Sequence, residues 1–427
     1  MKIHVVKPGD SVWSIARKYG TTPESIMEAN QLQELPYLIE GQALVIPKTY
    51  TRYVVKPGDT VWTISRKFGV TIDSIVEVNN LPNPNFIYPG MILIIPIKTK
   101  KYGVIEVNGY IEPTTAENEK NIIQDVGEFL TYISPFSYQV NADGTLNPIK
   151  DEVILQESKQ YDSAPLLVIT NFRGGNFDTK LAHTILIDEK IQNTLIDNII
   201  KTMKNKGYKG LNVDFERVPP ADRDLYNNFL RKVVNRLKPL GYLVSTALAP
   251  KTYDIRKGAW HGAHDYKAHG EIVDFVILMT YEWGWSGGPP MAVAPIKQVK
   301  KVLDYAITVI PSRKIIIGVP LYGYDWTLPY MPKGEWAKRV SPQTALKIAA
   351  KYGAKIEYDE EAQAPYFNYI DEERNKHVVW FEDARSIKAK FKLVYRYDLR
   401  GVSYWVLGLS FPQNWVILDE LFVIKKV

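Results

Sequence analysis

Gly210-Leu211-Asn212-Val213-Asp214-Phe215-Glu216 is the stretch from which the fold of this 427-residue chain can be read. A glycine opens it, apolar and polar side chains alternate, and no proline interrupts, which is the pattern of a strand with two unlike faces. Successive side chains of a strand point to opposite sides, so Leu211, Val213 and Phe215 share one face and Asn212, Asp214 and Glu216 the other. A face that carries two carboxylates in succession is not an ordinary core, because each unpaired charge taken out of water is strongly unfavourable. The strand therefore belongs in a sheet whose polar face is a working surface.

Seven other apolar runs flank it, at 103–110, 130–136, 166–172, 243–249, 273–281, 315–321 and 402–407. Helix-length segments separate most of them, so the runs predict parallel strands joined by crossover helices, and eight such strands close a (β/α)8 barrel. The fold class expected is α/β, with the barrel domain over 102–427. The interval from about 327 to 395 is too long for one crossover and holds strand-like pieces of its own at 354–358, 366–369 and 378–380, which predicts an inserted α+β subdomain. In such barrels the C-terminal ends of the strands carry the chemistry, and Asp214 and Glu216 lie at that end.

Upstream, the chain repeats itself. Val5-Val6-Lys7-Pro8-Gly9-Asp10-Ser11-Val12-Trp13-Ser14-Ile15 recurs 49 residues later as Val54-Val55-Lys56-Pro57-Gly58-Asp59-Thr60-Val61-Trp62-Thr63-Ile64, and Asn30, Gly41 and Pro47 recur as Asn79, Gly90 and Pro96. Each unit reads as strand, helix, helix, strand, with Pro-Gly-Asp as a turn and Ser11 or Thr60 as helix N-cap. Ile15, Tyr19 and Ile26 are expected to face inward. The two small βααβ modules are expected at 1–48 and 50–98, before the basic connector Lys98-Thr99-Lys100-Lys101.

Pro-Gly-Asp-[Ser/Thr]-x-Trp-x-Ile, the Asn and the closing Ile-Pro resemble the LysM family. That resemblance implies a shallow groove for N-acetylglucosamine-containing glycans between the turn after strand one and the loop before strand two. Carried over, it places Gly9, Asp10, Ser11, Ile39 and Glu40 in one groove and Gly58, Asp59, Thr60, Ile87 and Tyr88 in the other. Two weak sites on one chain raise its effective concentration at a polymer.

Composition narrows the classes of function. The net charge of +6 is spread without a Lys/Arg block, which gives nucleic-acid binding little support. The absence of cysteine excludes disulfides, Cys-ligated metals and thiol nucleophiles. No apolar run reaches the ~18 residues of a spanning helix, so membrane insertion is not expected, and no signal peptide is visible at the start. The 10 Trp and 27 Tyr offer more rings than packing alone demands, and such rings suit stacking against sugars. His261, His264, Asp265 and His269 lie close together, but their spacing matches no common ligand pattern. Polar packing is expected there, with no metal and no cofactor.

Cleaving a glycosidic bond needs an acid at the leaving oxygen and a group that stabilises the oxocarbenium-like carbon. Glu216, farthest out, suits the acid, and a neighbouring carboxylate would raise its pKa. Asp214 is placed to orient substrate. The domain is similar to glycoside hydrolase family 18, whose pattern Asp-Gly-x-Asp-x-Asp-x-Glu stands here as Lys209-Gly210-Leu211-Asn212-Val213-Asp214-Phe215-Glu216; Lys209 and Asn212 depart from it. Met279-Thr280-Tyr281-Glu282, Gly318-Val319-Pro320-Leu321-Tyr322-Gly323 and Trp405 extend the resemblance across 102–427.

What that resemblance implies is retaining, substrate-assisted hydrolysis, in which the sugar's acetamido oxygen attacks its own anomeric carbon. Asp214 would hold the acetamido N–H, Tyr281 its oxygen, and Glu216 would serve as acid and then base, with Asn212 behind Asp214. Trp405 would floor the sugar, and Tyr322, Met279, Trp283 and Tyr110 would line the site. LysM repeats joined to such a barrel resemble the spore cortex-lytic enzymes of spore-forming bacteria. The expected partner is peptidoglycan or another N-acetylglucosamine-containing glycan, the expected state a monomer and the expected place the spore. Chitinase action is the alternative within the enzyme class, and a non-catalytic glycan-binding coat protein the alternative outside it.

Overall fold

A computed structural model of the protein describes residues 1–47, 50–96 and 101–427. Within the barrel domain eight parallel strands close on themselves: Val104–Ile111, Tyr132–Pro135, Ala164–Thr170, Gly210–Asp214, Leu243–Leu248, Phe275–Leu278, Ile315–Pro320 and Gly401–Trp405. Gly210–Asp214 pairs with the third strand on one side and the fifth on the other, in a register that sets Asp214 beside Thr170. Helices such as Glu189–Lys206, Arg223–Leu237 and Ile296–Val309 cover the outside.

The alternation read from strand four is realised in space. Leu211, Val213 and Phe215 are fully buried in the layer between strands and helices, where Phe215 stacks on Phe229 at 5.9 Å. The barrel interior is filled in layers, and the first strand visits three of them. Glu106 sits at the bottom among Tyr132, Arg400 and Lys425. Asn108 sits in the middle, donating to Ser403 and accepting from Ser134. Tyr110 sits at the top, where its hydroxyl donates to Asn212 Oδ1 at 2.8 Å. Each of these three side chains thus meets a partner, as burial of polar groups requires.

Between the seventh and eighth strands a five-stranded antiparallel sheet is inserted, built from Gly323–Leu328, Lys338–Val340, Glu357–Asp359, Ala364–Ile370 and Lys376–Trp380 with the helix Pro342–Lys351. This sheet starts ahead of the expected 327, because its strand Gly323–Leu328 follows the seventh barrel strand after only two residues. It also ends well before 395. Asp383 caps the helix Ala384–Arg396, whose Ile387, Phe391 and Val394 pack into the barrel's outer layer, so that helix is the seventh crossover.

The N-terminal repeats fold as two βααβ modules. The first comprises Lys2–Val5, Val12–Tyr19, Pro23–Asn30 and Ala43–Ile46; the second Tyr50–Val54, Val61–Phe68, Ile72–Val78 and Ile92–Pro96. Ser11 and Thr60 each close a reciprocal capping box. Asn30 donates to Ile26 O and Val45 O and accepts from Val45 N, and Asn79 repeats this with Ile75 and Ile94. In both modules that asparagine fastens the second helix to the closing strand. Of the basic connector, residues 98–100 lie outside the described residues.

Candidate active site

Asp214 and Glu216 emerge at the C-terminal mouth of the barrel, both nearly buried. Asp214 Oδ1 is buried without a hydrogen-bond partner among the described residues. Burial pushes the Asp214 carboxyl up to about 7. Burial also pushes Glu216 well above the usual glutamate range, assisted by the Asp214 charge and opposed by Arg217. Desolvation is therefore the larger cause of the raised pKa, and like-charge repulsion, the cause expected from sequence, comes second.

Asn212 does not reach Asp214 by any hydrogen bond. Its amide is held by Tyr110, which donates to Oδ1, and by Ser245, which accepts from Nδ2 at 3.0 Å. With Asn at this position there is no second carboxyl to share a proton, and Asp214 keeps its acceptor capacity for whatever enters the mouth. Tyr281 is half-buried and makes no side-chain hydrogen bond among the described residues. Trp405 lies beside Tyr110 at 5.7 Å and Phe136 at 4.7 Å, in a cluster of edge-to-face rings, and remains partly exposed.

Tyr322 is completely buried and donates its hydroxyl to Glu282 Oε1. Tyr324, from the inserted sheet, donates to the same oxygen at 2.9 Å. Tyr322 is thus a support for Glu282 rather than a surface for a sugar. Met279 is half-buried at the end of the sixth strand, and Trp283 is half-buried against the outer-layer core. Arg217 and Glu282, each directly following a site residue, adopt left-handed backbone angles, with φ of 53° and 67°. Non-glycine residues held there cost free energy and concentrate at functional sites.

The arrangement of one protonatable glutamate, one unpartnered aspartate oxygen and one free tyrosine hydroxyl, over aromatic walls, suits acid-assisted cleavage of a glycoside. A family model for glycosyl hydrolases family 18 matches residues 107–409. The chain belongs to glycosyl hydrolase family 18. LysM domain models match residues 4–47 and 53–96. The chain is 51% identical to the cortical fragment-lytic enzyme of Bacillus subtilis (strain 168), covering 100% of this chain and 99% of that one. The crystal structure of the Bacillus megaterium QM B1551 spore cortex-lytic enzyme SleL superposes with a TM-score of 0.85 at 46% identity, covering 100% of this chain and 99% of the other. A chitinase from Chromobacterium violaceum ATCC 12472 shares the fold at 24% identity and a TM-score of 0.68, over 74% of this chain.

Sequence reading missed several parts of this family 18 site. Asn171, just beyond the third strand, donates to Glu216 O at 2.8 Å and accepts from Glu216 N at 3.0 Å, so the acid's backbone is gripped from both sides. His264 accepts from Ala249 N at 2.8 Å and lies 3.0 Å from Phe215 O. Burial drives its pKa down to about 4, so its neutral form donates to that carbonyl. It braces the peptide between Asp214 and Glu216. Polar packing was expected of this histidine, but not its grip on the backbone of the catalytic strand. Trp285, three residues beyond Glu282, and Trp336 form an exposed edge-to-face pair. A Cβ on Gly287 or Gly288 would fall 2.3–2.4 Å from the Trp285 ring, so that glycine pair lets the indole lie flat. The Gly-Gly step after Trp285 was the available signal.

In the modules, Gly9 and Gly58 both take φ of 85° in the turn. Asp10 and Asp59 accept from Lys7 N and Lys56 N at 2.8 Å, and Ser11 and Thr60 cap helices. The loop residues correspond differently from what was expected. Gln42 N donates to Ile39 O as Met91 N donates to Tyr88 O, so Ile39 matches Tyr88, and Ile87 matches Leu38. The two expected grooves were one residue out of step. Ile39 itself is buried against the inserted subdomain, whereas Ile87 is half-buried in its own module's core.

Proposed function

We propose that this glycoside hydrolase cuts spore cortex peptidoglycan as an N-acetylglucosaminidase, by retaining, substrate-assisted cleavage after N-acetylglucosamine. The observation that carries this reading is Asp214 Oδ1, a buried acceptor without a partner among the described residues, beside Glu216, whose pKa burial raises. Leaving such an atom unpaired costs about 1–3 kcal/mol, which a substrate N–H returns on binding. In the proposed sequence the acetamido N–H donates to Asp214, and Tyr281 donates to the acetamido oxygen as it closes on the anomeric carbon. Glu216 protonates the leaving oxygen, then takes a proton from the water that opens the cyclic intermediate. Trp405 floors the sugar, Asn212 and Tyr110 fix the layer beneath, and Met279, Trp283 and Tyr322 shape the wall or support it.

Every group in this scheme comes from one barrel, so a monomer suffices. The relatives' names favour cortex over chitin and a spore location, and the shared fold with a chitinase does not discriminate between them. Three measurements test the reading. Digestion of cortex fragments and chito-oligosaccharides, followed by mass spectrometry, is expected to show faster release ending in N-acetylglucosamine from cortex. Proton NMR of the first turnover is expected to show the β-anomer, and a substrate with the reacting acetamide replaced by a free amine should react roughly 10³-fold more slowly. An inverted product, or equal rates for amine and acetamide, would overturn substrate assistance.

A further inference from the structure

The two LysM modules share a backbone and differ in their surroundings. The closing strand of the first, Ala43–Ile46, is buried on both faces: Leu44 and Ile46 in the module's own core, Ala43 and Val45 in the core of the barrel. Its loop is covered as well. Ile39 packs with Ala345, Ala349, Ile356, Phe367 and Phe381 of the inserted subdomain and its flank. Ile356 N donates to Glu40 O at 2.9 Å, the Glu40 carboxylate pairs with Lys355 at 2.6 Å, and Glu34 pairs with Lys347 at 2.8 Å. The Tyr37 hydroxyl donates to Ala350 O. Backbone meets backbone here: a Cβ on Gly41 would fall 1.8 Å from Ile356 O. The residual void at this junction is about 10 Å³, room for no more than about one water.

Among the described residues nothing comparable holds the second module: its hydrogen bonds stay inside it, and its apolar cluster contains only its own side chains. The sequence encodes the difference. Forty-nine residues on, the docking positions Glu34, Tyr37, Ile39, Glu40 and Ala43 become Asn83, Phe86, Tyr88, Pro89 and Ile92. The two anionic partners, the donating hydroxyl and the small residue are each lost. Tyr88 is 60% exposed where Ile39 is 2% exposed.

We propose that the first LysM module is a structural clamp joining the barrel to its inserted subdomain, with the loop side of its glycan groove closed by that subdomain. Capture of glycan outside the barrel then rests on the second module alone. This rests on the reading that the substrate is an N-acetylglucosamine polymer. The chain thus has one catalytic site and one tether, and the tethered module sets how far along a polymer the barrel can work.

Hydrogen exchange of the full-length Glu216→Gln protein, with and without saturating chitohexaose, tests it. Exchange is expected to slow at least threefold over 56–60 and 86–91 and to be unchanged over 7–11 and 38–42. Slowing of 7–11 equal to that of 56–60, or none in the second module, would overturn the proposal. The same data report separately on the barrel, because segments 212–217 and 279–283 slow only if the catalytic site takes the glycan. Sedimentation with insoluble peptidoglycan adds a second reading: Tyr88→Ala, at an exposed position, should lower the bound fraction at least fivefold without lowering Tm. Retention at the unchanged level would likewise count against a single tether.

Discussion

Glu106 and Glu216 stand at opposite ends of one barrel interior, each almost withdrawn from solvent, and they have opposite electrostatic fates. At the bottom, burial would push the Glu106 carboxyl up, but Lys425, Arg400 and Tyr132 outweigh it and hold it below the usual glutamate range. At the top, Arg217 opposes the effect of burial on Glu216 without outweighing it, and the Asp214 charge raises the pKa further. A fold can bury a carboxylate for stability only by surrounding it with donors. Where it buries one without them, the cost is retained for chemistry. Under the proposed mechanism this difference separates Glu106, a structural acid, from Glu216, the catalytic one.

The contrast is broken most directly at Glu216. Replacing it by Gln removes the transferable proton and a costly buried acid while keeping the shape. Turnover of cortex fragments should fall roughly 10³-fold, while Tm stays the same or rises. A variant that kept near wild-type turnover, or that lost several degrees of Tm, would put Glu216 in the same class as Glu106.

Glu106→Gln should do the reverse. It leaves Arg400 and Lys425 without their anion, which costs about 3 kcal/mol, the lower end for a broken buried pair, and kcat should change less than twofold. The pH dependence carries opposite signs at the two ends. Glu106 has a folded pKa below the ordinary 4.5, so its stabilisation is present above that value and is lost as pH falls through the folded one. The Tm advantage of wild type over Glu106→Gln should therefore shrink on acidification. Asp214 is raised from 3.8 to about 7, so its cost is full above pH 7 and gone below the ordinary value. Asp214→Asn should be more stable than wild type at pH 8, with the gap narrowing toward pH 4. Thermal scans of both variants across this range check both signs, and parallel slopes would dissolve the distinction.

How much of this was legible beforehand follows from the range of the interactions involved. Strand alternation is local, so the inward direction of Asn212, Asp214 and Glu216 was readable from seven residues, and the eight strands and the 49-residue repeat were readable from patterns along the whole chain. The docking of the first module was written in the sequence too, as Ala43 against Ile92 and Glu40 against Pro89. Such differences look like ordinary variation between repeats until the opposing surface is known. Asn171 and His264 were illegible for a stronger reason. Each acts on the backbone of residues 45 to 49 positions away, and a contact with a peptide group leaves no signature in the identity of the residue it holds.

Asn171 offers the finest test of the contrast, because it asks whether the upper acid is positioned as firmly as the lower one. Glu106 is held through its carboxylate, by the cations it pairs with. Glu216 must keep its carboxylate free, so the fold holds its main chain instead, through the amide of Asn171. Asn171→Ala removes both of these hydrogen bonds and a third, which the amide donates to Asp178 O at 3.1 Å, and leaves a buried N–H and C=O with fewer partners. A loss of about 2–4 kcal/mol in stability follows from three ordinary hydrogen bonds. Loosening the acid by a fraction of an ångström should lower kcat roughly tenfold, with KM nearly unchanged because the sugar's own contacts are intact. A purely structural role would lower Tm and leave kcat alone. If instead KM rose and kcat did not, Asn171 would belong to the binding surface, and backbone clamping would cease to be what distinguishes the top of the barrel from the bottom.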